Sequence, residues 1–315
     1  MSRVINNRDR VDSDTRNRVL QAIDALGYVK NPLAASIKTG KSHFILAVVP
    51  DLVNDFYSDV VCGVEQVASE KGYYTLVYTT NNQFSKERSV YNPELEYLAE
   101  GMILIPSISN YPAYKNISKP QVIIDSIPSD PVPYSVEVDN YHGSKLLVEE
   151  LIKYGHKKIA FICGPQIYNI GMDRFKGFIE TLSSNGIQIQ NDYIKLGSWY
   201  EEDGYRFTKE LISLSDPPTA IFAANNLISI GCIECLSDNH MSIGKDISLV
   251  SFDDTQFTKY STPGITAIQR PTNEMGSVGA RMLFSIIENH TDEIKEKATT
   301  MPVKLIRRNS VAKLE

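Results

Sequence analysis

The sequence predicts an α/β fold of two doubly wound parallel sheets preceded by a short helical head, and three observations carry that prediction. Short runs rich in β-branched and apolar residues alternate with helical segments from His43 onward. Most of these runs are apolar throughout, as strands buried on both faces must be. They also form two similar sets, one before about Asn140 and one after, with the chain crossing back near Arg270 and again near Thr299. At 315 residues the chain exceeds what a single core usually organises, which agrees with two lobes.

The elements follow in order. Residues 13–28 (SDTRNRVLQAIDALGY) place Val19, Leu20, Ile23 and Leu26 at helical spacing, with Asp12 or Ser13 as N-cap and Gly27 as the stop. Strands are expected at FILAVVP (44–50), YTLVYTT (74–80), GMILIPS (101–107), QVIIDS (121–126) and YSVEVD (134–139). The second set is KIAFICG (158–164), TAIFAAN (219–225) and SLVSFDD (248–254). Helices are expected between them, among others at 58–71, 141–154, 174–184 and 205–214. The resulting division is a head (1–42), a first lobe (43–140 with 271–298) and a second lobe (141–270 with 299–315). Two such sheets side by side form a clamshell whose ligand cleft lies at the C-terminal ends of the strands.

Composition narrows the function. The net charge of −6 divides unevenly: residues 1–42 hold eight Lys/Arg against four Asp, so the head is +4 and the body −10. A basic head on an acidic body suits a polyanionic partner for the head alone, although a solvated helix face would look the same. No apolar run approaches a membrane span, and the polar start MSRVINNRDRV has no secretory h-region, so a cytoplasmic protein is expected. Four cysteines are too few and scattered for a disulfide scaffold; Cys232 and Cys235 read as buried small side chains inside a helix. No glycine-rich phosphate loop is present, and the five dispersed histidines place no base beside a nucleophile, so no enzyme, cofactor or metal is expected. His156, in YGHKKIAF, reads as a helix C-terminal residue interacting with the dipole.

The runs SRVINN and DSDTRNRVLQAIDALGYVKNPLAASIKTGKS resemble the end of the headpiece, the hinge and the exit linker of the lactose-repressor family of bacterial transcription regulators. The likeness continues to the C-terminus, where the family's core is similar to periplasmic sugar-binding proteins. It implies a helix-turn-helix whose leading part is missing here, leaving a truncated headpiece expected to bind operator DNA weakly or not at all. On this reading Ser2, Arg3 and Asn6 match the recognition-helix end, and Asn31, Ala34 and Ile37 match a hinge that enters the minor groove.

The same resemblance selects cleft residues. Phe56 and Tyr57, in PDLVNDFY, match a segment whose aromatic flanks the ligand, though a helix-start staple is the rival reading. Asp125 and Asp253 end strands where a carboxylate accepts hydroxyls; Asp254, next along, points the other way. Arg174 matches an R-x-x-G-F/W signature, and either bridges a ligand to Asp253 or pairs with it directly. Trp199 and Asn225 match an aromatic and an A-N-D position, with Asn226 replacing the acid. Tyr168, which reads equally as a surface tyrosine, and the crossover residue Gln269 complete the set. The expected function is therefore a dimeric, ligand-responsive transcriptional regulator, most simply a repressor, with a sugar-like effector between two lobes. Its partners are operator DNA, the effector and a second copy, the homodimer contacts coming from residues 227–236 and the Tyr260 region; no membrane is involved. The alternative is a sugar-binding protein without DNA-binding activity.

Overall fold

A computed structural model describes residues 4, 11–27, 41–90, 98–106, 119–127, 132–167 and 169–314. The chain divides into two compact units, 1–43 and 44–315. In the first, helix α1 (Ser13–Ala25) starts where the Asp12 carboxylate accepts the Thr15 N–H at 2.8 Å, and Gly27 ends it at φ +57°. None of its side chains is fully buried.

The second unit holds two six-stranded sheets. β1 (Phe44–Val49), β2 (Tyr74–Thr79), β3 (Met102–Leu104), β4 (Gln121–Ile124), β5 (Ser135–Val138) and β11 (Ala298–Met301) form one, in the order β11-β5-β4-β3-β1-β2. β6 (Ile159–Cys163), β7 (Ile194–Leu196), β8 (Ala220–Ala223), β9 (Ser248–Phe252), β10 (Thr266–Gln269) and β12 (Lys304–Ile306) form the other, in the order β12-β10-β9-β8-β6-β7. Pairing is parallel except between β10 and β12. The third position in each order is held by β4 and β9, so their C-terminal residues, Asp125 and Asp253, occupy matching places in the two lobes. Because β11 pairs with β5 as far as Met301, the first lobe runs three residues past the expected return at 298.

Helices cover both sheets: α2 (Asp55–Glu70), the short α3 (Phe84–Ser89), α4 (Asn140–Lys153), α5 (Asn169–Ser184), α6 (Glu201–Ile212), α7 (Asn226–Asp238), the short α8 (Gln256–Tyr260) and α9 (Thr272–Ile287). α2 buries Phe56, Val60, Val64 and Val67, a stripe at helical spacing. Its Asn54 cap accepts the Phe56 N–H, and the Asn225 and Asp139 side chains cap α7 and α4 likewise. The Asp139 and Asn225 caps stand within two residues of a strand end, and Asn54 within five, which fixes the residues facing the cleft. No described helix is long and apolar enough to cross a membrane.

Candidate functional site

A cavity of about 200 Å³ lies between the C-terminal strand ends of the two lobes. Phe56 and Tyr57 from the start of α2 and Asp125 and Ser126 after β4 form its first-lobe wall. From the second lobe come Arg174 on α5, Trp199 after β7, Asn225 after β8 and Asp253 after β9. Trp199 lies against Gly164 so closely that a Cβ there would overlap the indole, which pins the ring as a wall.

Two buried guanidinium groups organise the polar part. Arg174 Nε donates to Asn140 Oδ1 at 2.9 Å and Nη1 to the Ala224 carbonyl at 2.6 Å, while the group stacks 3.7 Å from the Phe252 ring centre. Burial pushes its pKa down to about 10, still charged near neutrality. Its Nη2 donates to no described protein group. Arg270, in the crossing segment directly after β10, donates from Nη1 to Asp125 Oδ1 at 2.8 Å, and its Nε pairs with Asp253 Oδ1 at 2.5 Å without hydrogen-bond alignment. It stacks 3.8 Å from the centre of Phe56. Burial would lower its pKa, but Asp253 and Asp125 outweigh that and raise it.

Asp125 and Asp253 both sit in the left-handed backbone region, at φ +67° and +87°, where residues other than glycine are strained. Burial holds the Asp125 carboxyl above its usual range despite Arg270. Burial, then the nearby Asp125 charge, raises the Tyr57 phenol, so it remains a donor. Among the described residues the buried Ser126 hydroxyl has no hydrogen-bond partner. The site thus offers aromatic faces for an apolar ring, carboxylates for hydroxyls, and a fixed cation.

The structure brings together seven of the nine cleft residues read from the sequence: Phe56, Tyr57, Asp125, Arg174, Trp199, Asn225 and Asp253. Asn225 spends its amide on the fold, accepting from Ile228 N and donating to the Trp199 carbonyl, so it positions the indole. Gln269 is exposed and outside the cavity, because it points away at the strand end while the next residue, Arg270, turns inward. Tyr168 lies outside the described residues, as do Ser2, Arg3, Asn6, Asn31, Ala34 and Ile37. The direct Arg174–Asp253 pair does not form, since Arg270 takes Asp253 instead. Asp254 turns away to a bidentate pair with Arg308.

Sequence reasoning missed Arg270 and the contacts that cross between lobes. Asn226 Nδ2 donates to Asn54 Oδ1 at 3.0 Å, a bond that an aspartate there could not donate. Asn82 of the first lobe donates to the Tyr200 hydroxyl of the second, and Asn169 Oδ1 accepts the Ile127 N–H at 3.0 Å. The available signal was an arginine directly after the short run TAIQ, at the crossing itself.

Comparison with known proteins agrees with this architecture. Residues 148–311 match the family described as periplasmic binding protein-like domain, and residues 1–31 match bacterial regulatory proteins, lacI family. The chain is 32% identical to the HTH-type transcriptional regulator RegA of Clostridium saccharobutylicum, over 98% of this chain and 94% of that one. It is 28% identical to the HTH-type transcriptional repressor CytR of Escherichia coli (strain K12), over 100% of this chain and 92% of that protein. Among solved structures, a complex of the transcriptional regulator CelR with cellobiose superposes with a TM-score of 0.78 at 26% identity, covering 98% of this chain and 94% of that one. A LacI family regulator from Enterococcus faecium with bound ribose gives 0.74 at 26% identity, covering 86% and 100%.

Proposed function

This chain belongs to the lacI family of bacterial regulatory proteins, a DNA-binding, ligand-responsive transcriptional regulator, and from that premise we propose that its effector is a small polyhydroxylated, sugar-like molecule held in the cleft between the two lobes. The observation that carries the proposal is the pairing of two strand-end carboxylates with a free Arg174 edge inside a cavity walled by Phe56, Tyr57 and Trp199. Asp125 and Asp253 accept ligand hydroxyls, Arg174 Nη2 donates, and the aromatic faces cover the C–H side of the ring. Tyr168 is a further effector contact on this reading, by its place in the sequence shortly before Arg174.

The head contacts operator DNA in the cytoplasm through Ser2, Arg3 and Asn6, with Asn31, Ala34 and Ile37 as the hinge. Two copies act together, so that effector-linked motion of the lobes alters the spacing of two hinges over an operator. Thermal-shift screening against pentoses, hexoses, cellobiose, sugar acids and nucleosides tests the effector reading. A hydrogen bond to a charged acceptor is worth roughly 1.5–3 kcal/mol, so D253A is expected to weaken a hit by about tenfold or more. A panel without any shift, or a shift that D253A leaves intact, overturns the reading.

A further inference from the structure

The carboxylates assigned to the effector already have a partner in the chain. Arg270 reaches Asp125 of the first lobe and Asp253 of the second, and the three side chains are almost entirely buried, at 4%, 6% and 7% exposure. Asp125 and Asp253 hold matching sheet positions in the two lobes, 128 residues apart, and share a strained left-handed backbone. Such backbones persist only where surrounding groups over-determine them, and one planar guanidinium contacting both carboxylates does so. Arg270 is itself fixed by Phe56 beneath it, and the Asn226–Asn54 bond joins the lobes as well.

We propose that Arg270 is a positioning residue that locks the two lobes together through Asp125 and Asp253, so that the closed arrangement is held by the chain's own cation and an effector enters by sharing or displacing those bonds. Its consequence for affinity rests on the effector reading above; its test does not. Losing Arg270 leaves two buried carboxylates repelling each other across the cleft, which favours opening.

Trp199 is the only tryptophan, it faces this cleft, and the adjacent Tyr200 is bonded across to Asn82. Acrylamide quenching of the full chain, without any sugar, therefore reports closure directly. R270Q is expected to raise the Stern–Volmer constant by about twofold or more, as a population shift toward the open state requires, while far-UV circular dichroism stays unchanged. R270K should fall between the two, since one ammonium cannot present the same fork to both carboxylates. A merely structural role would lower the melting temperature and leave quenching of the folded variant at the wild-type value, and that outcome overturns the proposal. If R270Q does not fold, R270K, D125N and D253N, which each weaken one link, carry the same expectation: raised quenching supports the lock, and wild-type quenching in all three overturns it. Raised quenching beside a failed ligand screen would sink the effector reading and keep this one.

Discussion

His156 shows at the scale of one residue how far a local reading reaches. Its place after a helix and a glycine suggests an imidazole interacting with the helix C-terminal dipole, and it is buried among partners from elsewhere in the chain. Nδ1 contacts Thr219 Oγ1 at 2.8 Å, and Nε2 contacts the Ala312 carbonyl at 3.0 Å and Ser248 Oγ at 2.9 Å. Those partners lie 63 to 156 residues away, so no local pattern could have named them. Burial depresses the His156 pKa, with the Ala312 carbonyl opposing. A folded pKa below the unfolded one means that the unfolded chain takes up protons first as pH falls. Stability is thus intact above the ordinary histidine value and declines as pH drops through it. The urea midpoint is expected to fall between about pH 7 and pH 5, and H156Q should lose this group's share of the slope. An identical slope in both proteins would show that this group does not couple to folding. The pairing of Arg270 was hidden for the same reason, its partner Asp125 lying 145 residues away, whereas Asp125 and Asp253 read as strand-end residues and Phe56 as part of a segment shared with the family.

Whole elements were legible where their burial is two-sided. The apolar runs at β1, β6, β8 and β9 are almost wholly buried, so their composition alone marks them. β7, β10, β11 and β12 escaped because each is only three or four residues long, too short to leave a continuous apolar signature even where, as in β10, the strand is buried. Helix packing was hidden too, although its cause is simple. In the first lobe Gly63 of α2 and Gly276 of α9 let the two backbones touch, and in the second Gly204 of α6 and Gly231 of α7 do the same. A Cβ at Gly231 would overlap the Glu201 carbonyl, and one at Gly276 the Val60 carbonyl. Neither is the movable tip of a side chain, so the helices themselves must part. G231A and G276A are each expected to cost about 1–3 kcal/mol despite the better helix propensity of alanine. Chemical denaturation measures this; variants as stable as the parent would mean that the pairs can separate freely.

For the molecule as a whole, the internal partition between lobes accounts for the cleft but leaves apolar surface unexplained. α7, expected to supply dimer contacts, buries Ile228, Cys232, Cys235 and Leu236 within its own lobe and keeps Leu227, Ile230 and Ile233 partly open. On α8, by contrast, Phe257 is 40% and Tyr260 70% exposed, the helix being held by its Thr255–Thr258 capping box and the Asp254–Arg308 pair. A rigid five-residue helix that presents two aromatic rings to solvent is costly unless a partner covers them, and aromatic anchors dominate the energy of such interfaces. The homodimer proposed above makes use of this surface. Y260D, which places a charge where a ring should be buried, is expected to weaken self-association by at least about tenfold, equivalent to roughly 1.4 kcal/mol. Sedimentation velocity across a concentration series reads the change directly. A wild-type chain that sediments as a monomer throughout, or a Y260D chain that associates as tightly as the parent, would remove α8 from the interface and with it this account of how two cleft-bearing subunits act on one operator.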